Sequence, residues 1–472
     1  MKYRIFLLPC IFLIFFLVLF PSIIYGAGWT NSGLTSVARY RFAAEKLSSG
    51  KVYVTGGEGQ SPSPTHFGVV EEYNPSSNTW TTKAPMLQRR YMHTASMVTL
   101  SDSTERVLAI GGRGGPSGYP GDYLKSAELY NPSSNTWMFT STDMASYHAN
   151  HTVTKFDDGK VLVTGGHGNF GVRTAAVDLY DPINNTWLAK NAMSQAKVYH
   201  TATLLTDGRV FVVGGQIESG SPGIHVATTE FYDPSTNVWN AGPSLNIARQ
   251  THQAVLLSDG RVMVVGGTGN GGSALSSAEI WSPATNSWTM AAPMAQARFN
   301  HIATLLQDGR ILVTGGSPGF SSSVEIYNPS TDEWETTSSL TTGRGLHTAT
   351  LLNNGNVLVA NGLTSSGPTN TSEVYFPDPI ITPTPTATPT PTPGLNVPLL
   401  KQGVLPYSNN DPSWEGEAYD HSTTGCETIA LCGCFTTSIA MTFQYHGISK
   451  LPDGTLLDPG TLNTWLTNNN GY

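Results

Sequence analysis

Any chemistry in this chain would have to come from a few sets of residues. Four cysteines stand at Cys10, Cys426, Cys432 and Cys434, the last three within nine residues. A second set recurs: Arg90-x-x-His93, Arg249-x-x-His252, Arg298-x-x-His301 and Arg344-x-x-His347, with His151 and His200 in the same histidine slot but without the arginine. Six imidazoles in equivalent places invite a metal reading. Equivalent positions in different repeats lie far apart, however, which does not suit one ion. A residue that recurs in every repeat is expected to serve the repeat, here by pairing with neighbouring backbone, so no metal is expected. The late cysteines, Cys-x5-Cys-x-Cys with no second ligand pair, are poor for zinc. A Cys426–Cys432 disulfide that leaves Cys434 free suits an exported protein. No paired carboxylates, Ser/His/Asp set or phosphate loop stands out, and no cofactor is expected.

Composition narrows the fold that must position these residues. Charged residues make up 12% and glycines number 49. Low charge with many Gly, Thr, Ser, Val and Trp points to a mainly β protein with many tight turns. The formal net charge is −8, with no Lys/Arg run after the first few residues, which argues against nucleic acid as a partner. The 472 residues are enough for two or three domains.

One unit runs from His200 through Asp207-Gly208 to Gly214-Gly215, then to Tyr232 and Trp239. Glycine pairs recur at Gly56/Gly57, Gly111/Gly112, Gly165/Gly166, Gly266/Gly267 and Gly315/Gly316, with Asn361/Gly362 as a degenerate seventh. An aromatic residue follows each pair, and a tryptophan comes seven positions after it, as in Tyr73/Trp80 and Trp281/Trp288. Tyr375 alone has no tryptophan after it, and Trp29 alone precedes the first glycine pair. Asp-Gly at 207, 259 and 308 predicts two-residue type I′ hairpin turns. The run Val210–Val213 after the turn reads as a strand covered on both faces. The glycine pair ends that strand, either for close approach or for an unusual turn. Each unit therefore supplies four antiparallel strands, which is one propeller blade.

The glycine pair followed by Tyr and Trp at fixed offset resembles the kelch repeat, over about Gly28 to Pro377. That resemblance implies a seven-bladed kelch β-propeller over residues 27–378. The last repeat lacks a fourth strand, and the Trp29 segment is a fourth strand without a blade. The two are expected to join and close the ring, which removes exposed sheet edges. A six-bladed ring with a loose remainder is the alternative. Kelch propellers of the galactose oxidase kind carry a copper radical site built on a Cys crosslinked to a Tyr, and this propeller has no cysteine. The role implied is binding of a protein or glycan ligand on loops such as Arg113–Lys125, where Tyr119, Tyr123 and Phe170 are candidate stacking residues.

Lys2, Arg4 and the apolar run from Ile5 to Tyr25 read as an export signal or membrane anchor over residues 1–26. The membrane is expected to be met only there, if the segment is uncleaved, and the protein to be secreted or on the cell surface. Residues 379–394 form a Thr/Pro-rich linker, whose repeated Thr-Pro favours an extended stalk of roughly 40 Å.

Residues 395–472 differ in composition. Ile439, Ala440, Met441 and Phe443 predict a helix stopped by Gly447, and a second helix starts at Asp458-Pro459. The Val-Pro-x-x-x-Gln opening, Gly433-Cys434-x-x-Thr437-Ser438-x-Ala440-Met441 and the Leu462-Asn463-x-Trp465-Leu466 helix resemble papain-like cysteine peptidases of the bacteriocin-processing type, peptidase family C thirty-nine. The resemblance implies a partial α+β papain-like domain, with Cys434 as nucleophile, Gln402 in the oxyanion hole and a peptide substrate for the full-length form. A thiol at a helix N-terminus has a lowered pKa, and a side-chain amide can donate to a developing oxyanion. Phe435-Thr436 departs from the family pattern. The general-base histidine is expected beyond Tyr472, since His446 lies about 18 Å from Cys434 by helical rise. The expectation is a truncated domain, inactive as given. The alternative for the whole chain is a non-enzymatic adhesion or recognition protein.

Overall fold

The computed structural model describes residues 27–60, 64–114, 122–217 and 223–377. The export-type segment, the linker, Gln402, Cys434, Tyr119 and the rest of the tail lie outside the described residues. The chain divides into two units, residues 1–382 and 383–472, and every described residue belongs to the first.

The described residues form seven four-stranded antiparallel sheets and two short two-stranded ribbons, with no α-helix among them. In the fourth sheet the strands are Thr201–Leu204, Val210–Val213, Thr229–Asp233 and Val238–Ala241, in that spatial order. The second strand is the expected apolar run, with all four residues fully buried. The first strands of neighbouring sheets lie side by side all the way round, and Ala43–Lys46 closes the circle against Thr348–Leu351. These first strands therefore surround the central channel. The core lies between sheets. One cluster joins Leu312 and Ile326 of the sixth blade to Val357 and Tyr375 of the seventh, with Trp29 packed against it.

Closure follows the expected route. Gly28–Leu34 pairs with Thr371–Phe376 and completes the seventh blade. The aromatic and the tryptophan seven positions later are cross-strand partners in each blade, as in Tyr180↔Trp187 and Tyr232↔Trp239. The unpaired Tyr375 takes the unpaired Trp29 in the same register. Their rings lie 5.0 Å apart at 45°, as do those of Tyr180 and Trp187. Each tryptophan also staples its blade to the one before. Trp334 Nε1 donates to Ala292 O at 2.7 Å, and Trp29 Nε1 donates to Ser338 O at 2.7 Å. On the other side of the closed blade, Trp80 Nε1 donates to Ser372 Oγ at 2.8 Å.

The turn chemistry differs from expectation. At Asp207-Gly208 only the glycine is left-handed, with φ 84°. Gly208 N donates to Leu205 O and Leu205 N to Arg209 O, so the loop is a type I turn closed by a glycine bulge rather than type I′. The aspartate's role is side-chain acceptance: Arg209 N donates to Asp207 Oδ1 at 3.0 Å. The glycine pair is required on both counts raised above. Gly266 and Gly267 have φ of 64° and 95°, and a Cβ on Gly267 would sit 2.5 Å from Gln250 O.

Candidate ligand-binding site

The Arg-x-x-His motif proves to be half of a larger device. Each of its arginines is fully buried and meets a carboxylate of the same blade. Arg90 meets Glu128 at 2.8 Å, Arg249 meets Glu279 at 2.8 Å, Arg298 meets Glu325 at 2.5 Å and Arg344 meets Glu373 at 2.9 Å. Three more blades carry the device with altered residues. Arg39 pairs with Glu71, Lys197 with Glu230 at 3.1 Å and His148 with Asp178 at 3.0 Å. The carboxylate also accepts backbone N–H groups of the turn before the cation, as Glu279 does from Asn246 N and Ile247 N. The arginine in turn donates to the first carbonyl of the glycine pair, as Arg249 Nη1 does to Gly266 O at 2.8 Å. Burial lowers the arginine pKa values, that of Arg39 to about 10, and the carboxylate opposes the shift. The acid always stands two residues before the blade's aromatic, from Glu71 before Tyr73 to Glu373 before Tyr375. That spacing was the available signal, and a search for adjacent paired carboxylates passes over it.

The six slot histidines are buried. Their Nε2 atoms mostly meet threonine hydroxyls of the preceding blade: His93 with Thr55 at 2.8 Å, His151 with Thr94 at 2.7 Å, His252 with Thr201 at 3.0 Å and His347 with Thr314 at 2.9 Å. His301 has no hydroxyl partner, because Gln253 and Val265 stand where other blades offer threonine. In the first blade Phe42 fills the slot. Burial pushes His93, His200, His301 and His347 down to about 3, so these imidazoles are neutral.

Just before the histidine slot, two residues after the paired base, lies the residue that faces the channel mouth. The seven equivalents are Arg41, Met92, Asn150, Tyr199, Thr251, Asn300 and Leu346, all left-handed with φ between 49° and 59°. The left-handed turn sends the N–H of four of them to the preceding blade. Met92 N donates to Arg41 O, Asn150 N to Met92 O, Thr251 N to Tyr199 O and Leu346 N to Asn300 O, at 2.9 to 3.1 Å. The side chains line a cavity of 490 Å³, and all but Met92 also line a smaller chamber of 180 Å³. Non-glycine residues adopt this conformation at a cost of roughly 1–2 kcal/mol each. The backbone is thus uniform at these seven places while the side chains are all but one different.

The loops around this ring are unevenly furnished. Arg113 stacks over Tyr91 and Tyr123 at 5.4 and 4.9 Å, and Arg41 pairs with Glu58 at 3.2 Å. Tyr199 meets the His167 ring edge-on at 5.8 Å. The facing blades contribute smaller neutral groups, among them Thr251, Thr268 and Asn300. Of the aromatics expected on loops, Phe170 is 72% exposed, whereas Tyr123 is half-buried beneath Arg113.

The model of the Attractin/LZTR1 β-propeller family matches residues 28–271, just over half of the chain. The chain belongs to that family. The Kelch motif model matches at residues 251–295 and 298–341. This Attractin/LZTR1-type chain is therefore a kelch propeller, a fold used as a protein-interaction module. Human Kelch-like protein 33 is 29% identical over 149 residues, 32% of this chain and 26% of the relative. Kelch-like protein 25 of Xenopus tropicalis is 27% identical over 226 residues, 46% of this chain and 35% of the relative. The chain spans about a third or less of the length of these curated relatives. A solved structure of a fungal alcohol oxidase of the AA5 family, in complex with copper, aligns with a TM-score of 0.57 over 75% of this chain and 76% of that one. Its identity of 17% makes the likeness one of fold. A copper centre does not fit the donors present in the propeller. No cysteine lies between Ala27 and Asn396, and the slot histidines are committed to packing between blades. Among the described residues no group of three His, Cys, Asp or Glu side chains is placed to hold a metal ion.

Proposed function

We propose that the chain is an exported or cell-surface recognition protein whose propeller binds a protein or glycan ligand at the channel mouth. The observation that carries this reading is the ring of seven left-handed residues. A scaffold that needed only the turn would be served by glycine or asparagine at all seven places. Instead, Arg, Met, Tyr, Thr and Leu hold five of them. Strained positions filled with varied side chains around a cavity suit ligand selection.

Two finer parts belong to the same reading. The basic, apolar N-terminus and the Thr/Pro stalk favour an exported or surface location. The Cys434 and Gln402 motif favours a peptidase-like segment carried beyond the stalk, with Cys434 as the thiolate.

The test is capture by the full chain, on glycan arrays and from surface-protein libraries, compared with two variants. Tyr199→Ala alters the mouth, and Leu188→Ala alters an exposed residue of an outer strand. Ligand capture lost in the first and kept in the second is expected. Equal capture by both variants would move the binding surface elsewhere. Labelling of Cys434 by a thiol-directed epoxide, absent after Cys434→Ala, is the corresponding check on the tail.

A further inference from the structure

The 180 Å³ chamber at the channel mouth carries more detail than general recognition requires. Its wall includes the Arg41 guanidinium, 37% exposed, the carboxamides of Asn150 and Asn300, and the ring of Tyr199. Two further polar atoms in the wall are buried and have no hydrogen-bond partner in the protein: Gln250 Oε1 and Thr268 Oγ1. Thr268 is 6% exposed. A buried polar atom left unpaired is destabilising, so a ligand in the chamber that reached these two atoms would be favoured.

The missing partners can be specified. Gln250 Oε1 is an acceptor and needs a donor, which a hydroxyl supplies and an ionised carboxylate cannot. The Thr268 hydroxyl takes either. Arg41 spends Nη1 on Glu58, and the rest of its guanidinium fork is best met by a second planar carboxylate. Tyr199 offers a flat apolar face. A compact ring that bears several hydroxyls and one carboxylate meets all four demands. An aspartate or glutamate side chain meets only the charge.

We propose that this chamber binds an acidic monosaccharide, a hexuronic acid unit free or at the end of a chain. Its carboxylate sits at Arg41, its hydroxyls at Gln250 and Thr268, and its ring against Tyr199. The inference rests on the channel mouth being the recognition surface, and goes beyond it in naming the ligand class.

The experiment is calorimetric titration of the full chain with glucuronic acid- and galacturonic acid-terminated oligosaccharides. The matched glucose- and galactose-terminated oligosaccharides and a glutamate-rich peptide serve as comparison probes. Uronate-terminated saccharides should bind at least about tenfold more tightly than their neutral counterparts, since a charged hydrogen bond is at stake. Arg41→Gln should erase that preference. Thr268→Val should weaken acidic and neutral saccharides alike, and should raise the thermal midpoint of the unliganded protein, because it removes an unpaired buried hydroxyl. Equal affinity for neutral and acidic saccharides would overturn the proposal. So would stronger binding of the peptide in competition for the same site, or absence of any saccharide binding at millimolar concentration. If a protein ligand were still captured by the wild type and lost in Tyr199→Ala, the sugar would be excluded while the recognition surface stood. Loss of capture at no mouth variant would instead remove the surface itself.

Discussion

In every blade the basic residue of the buried pair and the residue at the channel mouth stand two positions apart, yet the two are built on different terms. The basic residues, Arg39 to Arg344, are fully buried, and each meets a carboxylate. Their variation is confined to Lys197 and His148, both able to keep the contact. The mouth residues share only a backbone angle and differ in charge, size and polarity. The inner set locks the turn before each blade to the glycine pair behind it. It thereby holds the mouth residues in the left-handed conformation whatever their side chains. Constant parts carry the geometry, and the proposed ligand site falls on the variable parts.

The comparison breaks most visibly at the buried pairs. Glu279→Ala strands Arg249 without a counter-charge and should cost about 3–5 kcal/mol, read by chemical denaturation. A cost near zero would mean that the carboxylates do not hold the blades. Trp29→Ala removes the partner of Tyr375 and the staple to Ser338, and should cost about 3 kcal/mol, close to Trp239→Ala. A much smaller loss at Trp29 would show that the ring does not depend on its closing strand.

The histidines sharpen the comparison through pH. Their folded pKa values lie near 3, below the unfolded value of 6.5. Below pH 6.5 the unfolded chain therefore takes up protons that the folded chain refuses. Stability is fully present above that pH and falls as pH drops toward 3, by about 1.4 kcal/mol per pH unit for each histidine. His301→Phe copies the Phe42 arrangement and gives up no hydroxyl bond. It should flatten this slope by one histidine at less cost at neutral pH than His93→Phe, which loses Thr55. Equal costs in unfolding curves across pH 4 to 8 would contradict the account of that slot.

The smallest effect belongs to the mouth. Leu346→Gly relieves a left-handed leucine and should leave stability within about 1 kcal/mol of the parent, because glycine's entropy cost offsets the relief. A larger loss would give Leu346 a packing role.

Much of this was legible in the residues because propeller blades repeat their chemistry. The glycine pairs, the Tyr and Trp offset and the stray Trp29 were enough to count seven blades and join the ends. The Arg-x-x-His motif was legible in four repeats, but Arg39 was hidden by Phe42 in the histidine slot, and Lys197 and His148 by substitution. The carboxylates gave little signal because each lies about thirty residues from its basic partner, and only Glu71 has another acid beside it. The turn at Asp207-Gly208 departs from the expected type because aspartate there works through its side chain rather than its backbone. The mouth ring gave no signal at all. Left-handed turns announce themselves through Gly or Asn, and five of the seven positions hold neither.

The division of labour is tested most directly by exchanging two mouth residues, Tyr199→Leu with Leu346→Tyr, which keeps composition and backbone while moving the aromatic ring to the facing blades. The account predicts an unfolding free energy within about 0.5 kcal/mol of the parent and a changed profile on an array of acidic and neutral saccharides and peptides. A destabilised protein, or an unchanged profile, would contradict it.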